Sequence, residues 1–207
     1  MQFREVVKKR RMVRNYTGEP VERESLDRIL NAGRLAPSAG HTQGQSFVVV
    51  TEEAGRRRIA QLAGESEYVG LGFDPWISRA GALVVVCVSE AAYHRRYSEP
   101  DKTDAAGNEI EWPIPFWWVD AGAAMMAILY ATVDEGLAAG FLGVHSIDDL
   151  AAELHIPADV TPIGIVTIGH PAPDRRSGSL SRGRRQRADV IRYESWLSDP
   201  PATDRDR

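Results

Sequence analysis

The sequence predicts an α+β layered domain, and three observations carry the prediction. Apolar runs of strand type occur at 46–51, 82–88 and 163–168. Segments with helical spacing of apolar residues lie between and around them. The two kinds of segment are interspersed without strict alternation, which favours packed layers over a doubly wound parallel sheet. At 207 residues, with 43% hydrophobic and 26% charged residues, the chain fits one globular domain that buries a real core.

In chain order, Phe3, Val6 and Val7 predict a short amphipathic helix leading into a basic cluster, Lys8-Lys9-Arg10-Arg11-Met12-Val13-Arg14. After Pro20, the residues Leu26, Ile29 and Leu30 recur at helical spacing, and the stretch 33–37, with its glycine and proline, ends that helix. The run 46–51 reads as a buried strand followed by a polar helix over about 53–63. The run 82–88 reads as a second strand, and the single cysteine, Cys87, sits inside it as a small core residue rather than a nucleophile. One cysteine excludes an intrachain disulfide and fits a reducing compartment.

The stretch 89–118 is polar and rich in aromatics. It is too long for a routine connection and reads as a functional excursion, lid-like in character. From 119 to 137 the sequence predicts a buried central helix, with Ala121, Met125, Ile128 and Leu129 as its apolar stripe. Its small residues, Ala121 to Ala124, suit close approach by another helix. The stretch 140–144 reads as a loop or short strand. Ser146 and Asp149 have capping-box spacing for a helix ending near His155 and Pro157. The third strand, 163–168, is stopped by Gly169-His170-Pro171, and 172–187 is a basic connection. With no repeat and no linker, the expectation is one domain over 1–197 and a flexible polar tail over 198–207.

Charge narrows the function. There are 25 Lys and Arg against 29 Asp and Glu, a net charge of −4. Cations nevertheless concentrate at the first cluster and at Arg182-Gly183-Arg184-Arg185-Gln186-Arg187, which points to a localised anion site. Nucleic acid is not the expected partner: the chain is acidic and its basic segments lack interleaved aromatics. No apolar run approaches the roughly 20 residues of a membrane span, and the charged N-terminus lacks a signal-peptide pattern. The expected location is therefore cytoplasmic. The five histidines lack metal-ligand spacing, so no metal is expected. Neither a glycine-rich dinucleotide fingerprint nor a P-loop follows a strand.

The ordered set Arg10-Arg11-x-Val13-Arg14-x-Tyr16, Pro20-Val21, then Ala36-Pro37-Ser38-x-x-His41-x-Gln43 before an apolar strand, resembles the N-terminal signature of the nitroreductase family of flavin enzymes. The resemblance runs from about residue 4 to 196, apart from 89–116. It implies a mostly antiparallel central sheet flanked by helices, a homodimer, and noncovalent FMN. It also implies ping-pong electron transfer from NADH or NADPH to a nitroaromatic, quinone or similar organic acceptor.

The same resemblance assigns residues. Arg10, Arg11, Met12 and Arg14 would hold the phosphate and ribityl end of FMN, Met12 standing where the family often has a serine. Pro37, Ser38, Ala39 and His41 lie on the loop that reaches the flavin of the partner subunit. Phe141, Leu142 and Gly143 carry the backbone N–H that faces the flavin N5, with Gly143 nearest. Arg182 and Arg184 would complete the phosphate site, with Arg185 and Arg187 as substitutes. The family's Asn and Lys near the flavin pyrimidine have no counterpart in Gly72-Phe73-Asp74-Pro75-Trp76. From the residues alone, the arginines also read as a solvated patch, and Gly140 and Gly143 as turn glycines.

Trp117 and Trp118 either wall the acceptor side of the flavin or pack a dimer interface. No side chain is assigned as catalytic acid or base, since the cofactor carries the redox chemistry. Alternatives within the fold are a flavin-dependent dehydrogenase or oxidase, a dehalogenase, and a flavin- or deazaflavin-binding protein without turnover.

Overall fold

Four antiparallel strands make the central sheet of a computed structural model that describes residues 1–175 and 177–197. They are β1 (Gln45–Val50), β2 (Ala82–Val88), β3 (Ala138–Leu142) and β4 (Thr161–Gly169), in the spatial order β1-β2-β4-β3. The helices of the first unit are α1 (Phe3–Lys9), α2 (Arg23–Arg34), α3 (Glu53–Leu62), α4 (Glu65–Gly70), α5 (Glu90–Tyr97), α6 (Phe116–Asp134) and α7 (Ile147–Glu153). By its internal contacts the chain divides at 175/176. The second unit contains a 3₁₀ turn, Gly178–Arg182, and a short helix α8 (Arg187–Val190). The tail expected from Ser198 onward lies outside the described residues.

Every residue of β2 is buried, which is why it reads as an unbroken apolar run. Side chains alternate across a strand, and here they feed two separate cores. Leu83, Val85 and Cys87 point to one face, where Tyr16, Ile59, Trp76, Leu150 and Ile165 complete the cluster. Ala82, Val84 and Val86 point to the other, where they meet Leu26, Ile29, Ile128 and Leu129 from α2 and α6. Burial pushes the Cys87 thiol up to about 11, so it stays protonated and unreactive at neutral pH.

The layered α+β expectation holds, with every strand pairing antiparallel. Several boundaries differ for physical reasons. The long helix begins at Phe116, not at 119, because Pro115 occupies its N-cap, just ahead of the first turn, where its missing N–H costs nothing. It ends at Asp134, shortly before Gly136, whose φ of 77° is left-handed. The 140–144 region is the end of an edge strand, β3, held by pairing to β4. The helix α4 has no apolar periodicity to announce it.

α6 is central, packing against all four strands and against α1 and α2, but only one of its faces is buried within this chain, and by length and composition alone its 19 residues could cross a membrane. One face carries Ala121, Ala124, Ile128 and Leu129 against the sheet and α2. The closest approach is made by Gly33 of α2, where a Cβ would come 2.7 Å from Ile128, whereas Gly122 has open space beside it within this chain.

The segment 13–17 is stitched to the ends of β3 and β4. Val13 N–H donates to Ala139 (3.0 Å), Thr17 N–H donates to His170 (3.0 Å), and Tyr16 pairs with Pro171. The Tyr16 ring is fully buried, and its hydroxyl meets Thr167 Oγ1 at 2.7 Å and the Val13 carbonyl at 3.2 Å. Thr167 Oγ1 also receives the Gly140 N–H (3.1 Å). A Cβ at Gly140 would sit 2.6 Å from the Val13 carbonyl, so only glycine allows this approach. Burial, above all, raises the Tyr16 pKa, keeping the hydroxyl neutral. Tyr16→Phe should therefore lower stability by about 1–2 kcal/mol in urea denaturation, the scale of a buried hydrogen bond. A variant as stable as the parent would show that the hydroxyl network contributes nothing.

Candidate active site

Arg10 is the C-cap of α1, and Met12 follows it into the coil that runs beside β3. The Arg10 guanidinium is partly buried, with Nε enclosed and without a hydrogen-bond partner among the described residues. Arg14 stacks over the Trp76 ring, 5.9 Å from its centroid. Neither arginine has a carboxylate partner among the described residues. Arg11 differs: it pairs at 2.8 Å with Asp174, whose side chain is only 2% exposed. The second Asp174 oxygen is buried without a partner among the described residues. Met12 packs against the same apolar cluster as Phe141.

Phe141 and Leu142 end β3, and Gly143 follows, exposed, with open space where a side chain would be. The pinning of Val13 to Ala139 thus brings the basic segment and this strand into one region. Fork-shaped guanidinium donors without acceptors, one enclosed, beside a backbone free of side-chain cover, suit the phosphate and the polar edge of a flavin mononucleotide. Arg182 closes the 3₁₀ turn of the second unit, and Arg184 follows it; both are exposed.

The loop 37–44 stands elsewhere. Pro37 and His41 are exposed, while Ser38 and Ala39 are half-buried. The loop enters the sheet where Gln45 pairs with Val88 and Val88 with Thr161, at the start of β4. The arginine segment joins at Thr167 to Pro171, the other end of that strand. Within one chain the two groups lie at opposite ends of the sheet.

The aromatic excursion is ordered around α5. Trp117 is 7% exposed and packs with Val88, Tyr93 and Ala121, whereas Trp118, on the first turn of α6, is 43% exposed. Trp112 stacks edge-on to Tyr97 at 4.4 Å and donates its indole N–H to Glu109 (2.6 Å). The same Glu109 oxygen lies 2.7 Å from His94 Nδ1, and Glu90 lies 3.4 Å from Nε2.

Sequence reasoning gave no role to Asp120, Asp174 or Thr167, and read Tyr93 and Tyr97 only as weaker lid candidates; the structure places Asp120, Tyr93, Asp174 and Thr167 in buried polar contacts. One signal was available. Asp120 is the lone charge in an otherwise uncharged stretch, 116–133, and a lone acid on a buried helix face must have a polar partner.

The sequence profile of the Nitroreductase family matches residues 7–170. The chain belongs to the nitroreductase family. It is 30% identical over 199 residues to a Bacillus subtilis protein named FMN reductase (NAD(P)H), covering 93% of this chain and 74% of that one. Among solved structures, a nitroreductase family protein from Clostridium difficile superposes with a TM-score of 0.69 at 23% identity, covering 94% of this chain and 99% of the other. NfrA2 of B. megaterium gives a TM-score of 0.74 at 21% identity, covering 96% and 76%. These two likenesses show the fold.

The His94 pair yields a pH test. Hydrogen bonding to Glu109, and secondarily to Glu90, raises the His94 pKa above its ordinary 6.5. Its stabilising contribution is then complete below about 6.5 and is lost as pH rises through the higher folded value. The group is well exposed, so the effect is small. Thermal unfolding of His94→Gln should lose this decline as pH rises above about 6.5. An unchanged pH profile would show that the pair is energetically idle.

Proposed function

We propose that the chain is an FMN-dependent oxidoreductase of nitroreductase type, passing electrons from NADH or NADPH to a nitroaromatic, quinone or similar organic acceptor. One observation carries the reading. The guanidinium groups of Arg10 and Arg14 have no carboxylate partner among the described residues, yet they are fastened next to the exposed backbone after β3. The family supplies the context, and the B. subtilis relative bears the name FMN reductase (NAD(P)H).

When bound, FMN supplies the redox chemistry. The chain's own groups bind and orient. Arg10 and Arg14 would hold the phosphate through charge-assisted hydrogen bonds. Arg11 neutralises the buried Asp174 and so stabilises the run that carries its neighbours. Gly143 would offer its backbone N–H, and its bare Cα leaves room for a flat ring. Trp118, at the loop end of the sheet, presents an exposed indole to an acceptor at the partner's flavin, while Trp117 fixes the first turn of α6. No side chain need donate or remove a proton in this scheme. A cytoplasmic location accords with the nicotinamide donor and the single reduced cysteine.

A homodimer belongs to the same reading. The loop 37–44 and the arginine segment lie at opposite ends of the sheet, so one chain's loop serves the partner's flavin. Val119 is 52% exposed, and Gly122 on the same helix has open space beside it, which suits a second helix. Light scattering should give twice the 22.9 kDa chain mass. A monomer that retains its flavin would overturn the shared site.

The purified protein should carry a yellow chromophore released as FMN on denaturation, and should oxidise NADH or NADPH with a quinone. Arg14→Ala should weaken FMN binding by about 1.5–3 kcal/mol, the scale of one charge-assisted hydrogen bond, with the fold intact. Trp118→Ala should alter acceptor KM or kcat while sparing FMN content. A colourless protein that reduces no acceptor would overturn the assignment.

A further inference from the structure

The loop 38–44 has an uncommon backbone. Gly40 (φ 61°), His41 (φ 55°) and Gln43 (φ 54°) all occupy the left-handed region, which is costly for residues with a Cβ. Such conformations persist only where the surroundings over-determine them. Two restraints are internal: Thr42 Oγ1 donates to the Ala39 carbonyl (2.6 Å), and Gln43 N–H donates to Ser38 Oγ (2.8 Å).

The remaining restraints come from α5 and α6. Ala39 N–H donates to Asp120 Oδ2 (2.8 Å), and the same oxygen accepts the Tyr93 hydroxyl (2.8 Å). Arg96 Nε donates to the Gly40 carbonyl (3.0 Å). A Cβ at Gly40 would lie 2.8 Å from the Tyr97 ring, and one at Gly44 2.5 Å from the Tyr93 ring, so both tyrosine rings lie close against the loop backbone. Arg96 is itself held by Asp101 through two bonds of 2.7 Å and by Glu99 at 2.9 Å, so its fork is preset toward Gly40.

Asp120 is the informative member. It is 7% exposed, and no cation lies within ion-pair distance of it among the described residues. A buried carboxylate without a cation is unfavourable and must be held by hydrogen bonds. An apolar residue would fill that helical position at lower cost but would leave the Ala39 N–H and the Tyr93 hydroxyl unpaired.

We infer that Asp120, Tyr93 and Arg96 are positioning residues: with α5 as a clamp, they hold the 38–44 loop in its left-handed shape, ready for the flavin edge. This rests on the reading of that loop as a flavin contact. It gives the start of the excursion a task distinct from covering the acceptor.

Amide hydrogen exchange over 38–44, with the strand 82–88 as internal control, tests the clamp without reference to flavin. FMN affinity, measured by flavin fluorescence, tests its purpose. Arg96→Ala and Asp120→Ala should each speed exchange in the loop by about tenfold, leave the strand unchanged, and weaken FMN binding by about tenfold, the scale of one lost hydrogen bond. Asp120→Asn, which keeps an acceptor oxygen, should recover most of both losses. If Asp120→Ala does not fold, the partly exposed Arg96 variant decides alone. Loop exchange equal to the parent's in Arg96→Ala overturns the clamp. A loosened loop with the parent's FMN affinity overturns the positioning role. A parent that binds no FMN defeats the flavin reading, and the exchange result still decides the clamp.

Discussion

The hydroxyl of Tyr16 against Thr167 is the interaction on which the arrangement depends. It lies where three pieces of chain meet: the coil after α1, which contributes Tyr16 and the carbonyl of Val13, the Gly140 N–H of β3, and the interior of β4. A coil carrying three arginines has no reason of its own to lie against a sheet, since its charges prefer water. The buried tyrosine supplies that reason. It brings apolar area into the core while its polar end is satisfied by a threonine already inside, so the cations are carried to the sheet edge, where Arg10 and Arg14 are only partly buried. Gly140 makes the approach possible by having no side chain.

The same logic recurs at the far end of the sheet. A buried polar group, Asp120, reaches from an apolar helix to a loop backbone and fixes its conformation. Both ends are built from a pair of elements that pack through apolar contacts and communicate through one or two buried hydrogen bonds. The sheet is the rigid spacer between them. Its strand β2, with one set of side chains in each core, couples the two faces so that neither helical layer can shift alone.

The layers, the three long strands and the family were legible because their signals are local. A run such as Leu83-Val84-Val85-Val86 has only one comfortable environment, and the spacing of Arg10, Arg11, Arg14 and Tyr16 repeats a family pattern. What escaped was set by distant partners. β3 is a strand because β4 is there to pair with it, and its Ala and Gly residues carry no strand preference of their own. The start of α6 was placed too late because Trp117 and Trp118 read as loop aromatics, although one is a core residue. Within the candidate site, the commitment of Arg11 to Asp174 joins residues 163 positions apart, and no periodicity announces such a pair. The left-handed turn at His41 was equally hidden: histidine visits that region more often than most residues do, but a single loop histidine does not announce it, and only the neighbours that enforce it reveal it.

The buried cysteine has a practical consequence. Cys87 lies in the middle of the sheet with its thiol held protonated, so alkylating reagents and maleimide dyes find no native target on the folded chain. A cysteine introduced at an exposed site, such as Ala105 in the excursion or Gly70 at the end of α4, would be the sole attachment point for a probe. Spin labels or fluorophores placed this way would report on the excursion against the sheet without background, and no native residue would have to be removed first.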